Sequence, residues 1–153
     1  MIVLAPWLKK LTQLRSLNLS RNLLKTEGIV ALSPSLGQLI QLQYLNINYN
    51  EITTEGIIAL KPSIQKLFLL RELYIIDNLF DTNDLKELGL IINQLPSLVH
   101  LGIDYDSLSI SENFFLFRCI LAHPNSRKIL KNANINENDP QIKLYKTWLQ
   151  QTK

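Results

Sequence analysis

Apolar residues return along this chain every 28 positions. Leu14, Leu42, Leu70 and Leu98 form one file, Leu17, Leu45, Leu73 and Leu101 a second, and Leu19, Ile47, Ile75 and Ile103 a third. The last two files are separated by one position, so each repeat predicts a short strand with its leucines on one face and their neighbours on the other. The next shared position is polar, with Asn22, Asn50 and Asn78 in one register. Beyond each asparagine the period lengthens. Ile29, Leu32, Leu36 and Leu39 recur at helical spacing, and Gly56, Leu60, Ile64 and Leu67 carry the pattern into the next repeat. A fixed period of this length signifies a solenoid, in which each unit buries its apolar face only by stacking on its neighbours. Parallel strands stack roughly 4.8 Å apart, whereas packed helices need about 8 to 10 Å. Stacking therefore predicts an arc with strands on the concave side and helices on the convex side.

The whole chain, 1–153, reads as one domain. Residues 1–11 are the back half of a repeat, with Leu4, Pro6, Leu8 and Leu11 at the places of Leu32, Pro34, Leu36 and Leu39. They form either a capping helix or the remnant of a longer array, and Trp7 is placed to close the end of the core. Full repeats span 14–39, 42–67 and 70–95, a degenerate one spans 98–122, and 126–153 form a C-terminal cap. Thr26 is the expected N-cap of the first helix. Pro34 and Pro62 interrupt two helices at the same register, which suggests a shared kink or a break into two short turns. Ile129 and Asn134 retain enough of the register for a short fifth strand. Asp139-Pro140 opens a last helix with Ile142, Tyr145, Trp148 and Leu149 on one side and Lys143 and Lys146 towards solvent.

The order of these residues resembles LxxLxLxxN followed by GxxxLxxxLxxL, the pattern of leucine-rich repeats of the ribonuclease-inhibitor subtype. The resemblance is unbroken from Met1 to about Asp106 and degenerate beyond it. It implies an α/β horseshoe arc, a ladder of Asn22, Asn50 and Asn78 that satisfies backbone groups at the turns, and protein binding on the concave sheet. Asp106 takes the asparagine position in the fourth repeat and cannot donate, so the ladder weakens there.

Alternation writes out the concave face. Its files are Ser16, Tyr44, Glu72 and His100; Asn18, Asn46, Tyr74 and Gly102; and Ser20, Asn48, Ile76 and Asp104, with Arg21, Tyr49, Asp77 and Tyr105 along the rim. Tyrosine offers large contact area at low entropic cost and is enriched in binding hot spots. The candidate contact set is therefore Tyr44, Asn46, Asn48, Tyr49, Glu72, Tyr74, Ile76, His100, Asp104 and Tyr105. Exposed tyrosines also favour strands by propensity alone, which is the competing explanation.

Catalytic and metal chemistry find little support. Glu72 and His100 fall on adjacent strands, where a carboxylate favours a protonated imidazole. No nucleophile motif accompanies them, and Cys119 falls on the helical side. Neither a P-loop nor GxGxxG is present, so no cofactor is expected. Asp81 and Asp84 open a helix without the spacing or glycine of a calcium loop, and two scattered histidines and one cysteine make no zinc site. His123 ends a helix, where a cation is welcome.

A net charge of +3, with basic residues spread along the chain, does not favour nucleic acid as a partner. No apolar run reaches the roughly 18 residues of a membrane span. A single cysteine excludes an intrachain disulfide and suits a reducing, cytoplasmic setting, or a host cell's interior for a delivered effector. The expectation is a non-catalytic, monomeric module that binds a protein partner. A second reading is the sensor or targeting segment of a larger regulator or bacterial effector. A third is a GTPase regulator, because Ran GTPase-activating proteins use this repeat subtype, although the acidic tail of those proteins is missing here.

Overall fold

Strands form where a leucine lies between two outward-facing positions. β1 (Ser16–Asn18), β2 (Tyr44–Asn46), β3 (Glu72–Tyr74) and β4 (His100–Gly102) make one parallel sheet in chain order. Leu17, Leu45, Leu73 and Leu101 share one register across it. The computed structural model describes residues 4–80, 85–103, 114–133, 138 and 140–151. Helices α1 (Ala5–Leu8), α2 (Lys25–Leu36), α3 (Thr54–Ile64) and α4 (Leu85–Ile92) alternate with the strands, and α5 (Phe114–Ala122), α6 (Ser126–Asn132) and α7 (Pro140–Gln151) follow. Leu32, Leu36, Leu45, Ile47, Leu60 and Leu101 are among the fully buried residues that fill the space between sheet and helices. The result is an α/β repeat solenoid.

Asn50 is fully buried where the second repeat turns from strand to helix. Its Nδ2 donates to the carbonyls of Leu19 (2.9 Å), Ile47 (3.0 Å) and Asn48 (2.9 Å). Its Oδ1 accepts from the backbone N–H groups of Asn22 (3.1 Å) and Leu24 (3.2 Å) in the preceding repeat. Asn78 repeats the arrangement one unit on, donating to Ile47, Ile75 and Ile76 and accepting from Asn50 and Ile52. The Asn22 side chain, with no described strand before it, donates among the described residues to Leu19 and Ser20. These turns contain no glycine. Arg21, Leu23, Tyr49, Glu51 and Asp77 all take positive φ, a region that costs an L-residue roughly 1 to 2 kcal/mol. The amide bonds offset that cost.

Several expectations are corrected. Helix α2 begins at Lys25, and Leu24 precedes it without a side-chain cap. Thr26 lies inside the first turn, its hydroxyl 2.8 Å from that of Thr53, because the neighbouring repeat offers a better partner than its own helix end. Helices α2 and α3 run on through Pro34 and Pro62 to Leu36 and Ile64, so neither proline breaks its helix. Each sits in the last turn, where only one hydrogen bond is lost. Trp7 does not close the core: it is 62% exposed beside the Lys10 ammonium, and Leu8 is buried in its stead.

The fifth strand is replaced by helix α6, which buries Ile129 and Leu130; Asn134 lies outside the described residues. The carbonyls of Arg15, Gln43 and Arg71 each accept two N–H groups from the next repeat. The equivalent Val99 carbonyl instead accepts the Asn132 side-chain amide at 2.8 Å. Asn125 Nδ2 donates to Pro96 and Leu98 in the same way. His123 is buried: Nδ1 accepts from the Asn125 N–H (3.1 Å), which leaves Nε2 to donate to the Leu95 carbonyl (2.9 Å). Helix α7 begins at Pro140 with Ile142 buried and Lys143 exposed, while Lys146 is half-buried. Asp139 and the side chains of Tyr145, Trp148 and Leu149 lie outside the described residues.

Asn50→Ala leaves the N–H groups of Asn22 and Leu24 unpaired and removes one donor from each of three carbonyls, and is expected to destabilise the domain by about 1 to 3 kcal/mol. An unchanged urea midpoint would refute this. Asn132→Ala frees a single, more exposed carbonyl, so a loss of about 0.5 to 1.5 kcal/mol is expected by the same measurement.

Candidate functional site on the sheet face

The register sets Ser16 against Tyr44, Glu72 and His100, and Asn18 against Asn46, Tyr74 and Gly102. Because inward leucines are buried in every strand but the first, these neighbours face outward, and Tyr44, Asn46, Asn48, Glu72, Tyr74, Ile76 and His100 are half-buried. Tyr49 is exposed at the rim under the Arg21 guanidinium, 4.5 Å from its ring centroid. Asp104 and Tyr105 lie outside the described residues.

An aromatic row crosses three strands. The Tyr44 and Tyr74 rings are 5.4 Å apart between centroids, and the Tyr74 and His100 rings 4.9 Å, both tilted. Such spacings fall within the favourable range for aromatic contacts. Glu72 and His100 are register neighbours, but among the described residues they form no ion pair. The Glu72 carboxylate accepts the Tyr74 hydroxyl instead, at 3.0 Å. Burial first, then that hydrogen bond and the negative charge of Glu72, push the Tyr74 phenol up to about 12 from its ordinary 10.0.

The sheet's polar residues mostly order its own backbone. Asn18 and Asn46 accept from the N–H groups of Ser20 (2.9 Å) and Asn48 (3.0 Å), and Asn48 Oδ1 accepts from Ile76 N–H across the repeat boundary (2.7 Å). Asn46 also donates to the Tyr44 hydroxyl at 3.2 Å. These bonds fix the surface from which the aromatic rings project.

Gly102 has a part the sequence reading did not assign. A Cβ there would lie 2.5 Å from Tyr74 Cδ1, so the ring occupies the space a side chain would fill. A glycine among outward positions of a strand was the available signal, since such glycines often mark a close approach. Cys119 lies in α5, buried, and burial pushes its thiol up, away from nucleophilic character. Among the described residues no group of three His, Cys, Asp or Glu side chains is placed to hold a metal ion. Asp81 and Asp84 lie outside those residues.

A leucine-rich repeat family model matches residues 10–33 and 40–61. No curated protein matches the chain significantly. Solved structures do match. The tropomodulin C-terminal domain of Caenorhabditis elegans superposes with a TM-score of 0.72 at 15% identity, covering 94% of this chain and 87% of that one. Leiomodin-1 actin-binding site 2 superposes with a TM-score of 0.63 at 16% identity, covering 99% of this chain and 80% of that one. Likeness at these identities establishes the shared fold.

The phenol supplies a test of the geometry. Its raised folded value means that the folded chain holds this proton more tightly than the unfolded chain. The resulting stabilisation is complete below pH 10.0 and is lost as pH rises towards about 12. In an ultraviolet difference titration one tyrosine is expected to ionise near 12, and Glu72→Gln should lower that value while leaving it above 10.0, because burial persists. A titration unmoved by Glu72→Gln would remove the hydrogen bond from the site.

Proposed function

We propose that this leucine-rich repeat protein is a non-catalytic interaction module of the ribonuclease-inhibitor-like kind, holding a protein partner against the concave face of its sheet. The observation that carries the reading is the row Tyr44–Tyr74–His100, with Tyr74 in ring contact with both neighbours, on a surface whose backbone is tied by its own asparagines. Rings held in place before binding lose little freedom on contact. Half-buried aromatic groups beside a carboxylate suit a partner segment with an apolar anchor and a nearby donor.

Glu72, Ile76, Asn46 and Asn48 complete the contact zone, with Tyr49 and Arg21 at its rim. Asp104 and Tyr105 extend it in sequence. Actin is the first partner to try, since one structural neighbour is described as an actin-binding site. A cytoplasmic location accords with this reading. The chain as a targeting segment of a larger regulator or delivered effector would use the same face.

The test is capture of partners from a cell lysate, with purified actin as a defined probe, by the wild type and by a Tyr44→Ala, Tyr49→Ala, Tyr74→Ala variant shown to be folded. Truncating hot-spot aromatics costs about 1 to 2 kcal/mol each, so affinity should fall by on the order of a hundredfold or more. A partner retained at full affinity would move the site off the sheet.

A further inference from the structure

Helices α1 to α4 each return to the next strand through the same tight turn. Leu14, Leu42, Leu70 and Leu98 donate their N–H groups to the carbonyls of Leu11, Leu39, Leu67 and Leu95 at 2.9 to 3.0 Å. The two central residues of each turn are thereby pushed outward along one edge of the solenoid. In the second and third turns these tips include Ile40, 54% exposed, and Phe68 and Leu69, 61% and 42% exposed. They are adjacent through the repeat register, so they form one apolar ridge.

Charge on this edge has one sign. The stretches 9–15, 37–43, 65–71 and 93–99 contain Lys9, Lys10, Arg15, Lys66 and Arg71 and no Asp or Glu. All five side chains are exposed, and none enters an ion pair among the described residues. Helix α6, bonded to residues 96, 98 and 99, continues the sign with exposed Arg127, Lys128 and Lys131. The opposite edge is different: its strand-to-helix turns and the first helical turns after them carry Glu27, Glu51, Glu55 and Asp77 against Arg21 and Lys25. The modest net charge therefore hides a segregation of basic and acidic residues to opposite edges.

We propose that the helix-to-strand edge docks onto the surface of an anionic lipid bilayer, with Ile40, Phe68 and Leu69 entering the headgroup layer and the flanking lysines and arginines facing lipid phosphates and carboxylates. The chemistry is that of peripheral binding, in which apolar insertion and attraction to anionic lipid add together. No helix among the described residues is long and apolar enough to cross a membrane. Projecting tips favour a lipid surface over a protein, because a deformable headgroup layer accepts them where a protein would need a matching groove lined with acids. Aliphatic tips also offer nothing to stack on or pair with nucleic acid bases.

The experiment is co-sedimentation of the full chain with vesicles of phosphatidylcholine containing phosphatidylserine, and with vesicles of phosphatidylcholine alone. Binding is expected only to the anionic vesicles, and to weaken with added salt. Phe68→Ser with Leu69→Ser, and separately Lys66→Glu with Arg71→Glu, should each lower the bound fraction by at least about tenfold. All four positions are exposed, and circular dichroism checks that the variants fold. Failure to bind anionic vesicles, equal binding to neutral ones, or binding that survives both double substitutions overturns the proposal. Capture of an acidic peptide or of duplex DNA without vesicle binding also overturns it, in favour of that polyanion.

Discussion

The buried side-chain amide of Asn50 is the interaction on which the solenoid's geometry depends. A turn from strand to helix leaves N–H groups with no carbonyl of strand or helix to receive them, and unpaired groups there would cost stability. One amide, acting as donor to three carbonyls and acceptor to two N–H groups, closes that deficit and joins two repeats at once. It also allows ordinary residues such as Leu23 and Tyr49 to hold positive φ where glycine would otherwise be favoured. A threonine contact and a serine contact reinforce the joint. Thr26 meets Thr53 at the helix entrance, and Ser33 reaches Ser63 and the Ala59 carbonyl on the helical side.

With the repeats locked in this way, the outward strand positions become a rigid display. What matters on that display is contact between neighbours as much as identity. Tyr74 is held from three directions, by the Glu72 carboxylate, by the rings of Tyr44 and His100, and by the bare backbone of Gly102 beneath it. A ring so confined is a fixed apolar surface. The same confinement holds the Glu72 carboxylate to the phenol and not to His100.

The two ends of the sheet differ in how their edges are treated. Beyond β4, the Asn132 side-chain amide takes the Val99 carbonyl that another repeat would have taken, Asn125 donates to Pro96 and Leu98, and buried His123 pins the connection. At β1, Leu17 is only partly buried and Leu11 and Trp7 are exposed. Side chains substitute for a backbone ladder at one end, and no described group does so at the other.

How much of this was legible depends on the range over which each feature is decided. The period of 28 residues determined the strands, the helices, the core files and the outward files, because burial of a repeating apolar face permits only one stacking and the leucine spacing states its register. It also placed Asn22, Asn50 and Asn78 at the turns. Tertiary structure decided the rest. Thr26 left its own helix for Thr53, Glu72 chose the Tyr74 hydroxyl over His100, and residues 126–132 became a helix although their register echoed a strand. In each case the sequence supplied a group with two possible partners of similar strength. The choice fell to whichever partner the stacked fold brought within hydrogen-bonding distance, the neighbouring repeat's Thr53 for Thr26 and the same strand's Tyr74 for Glu72.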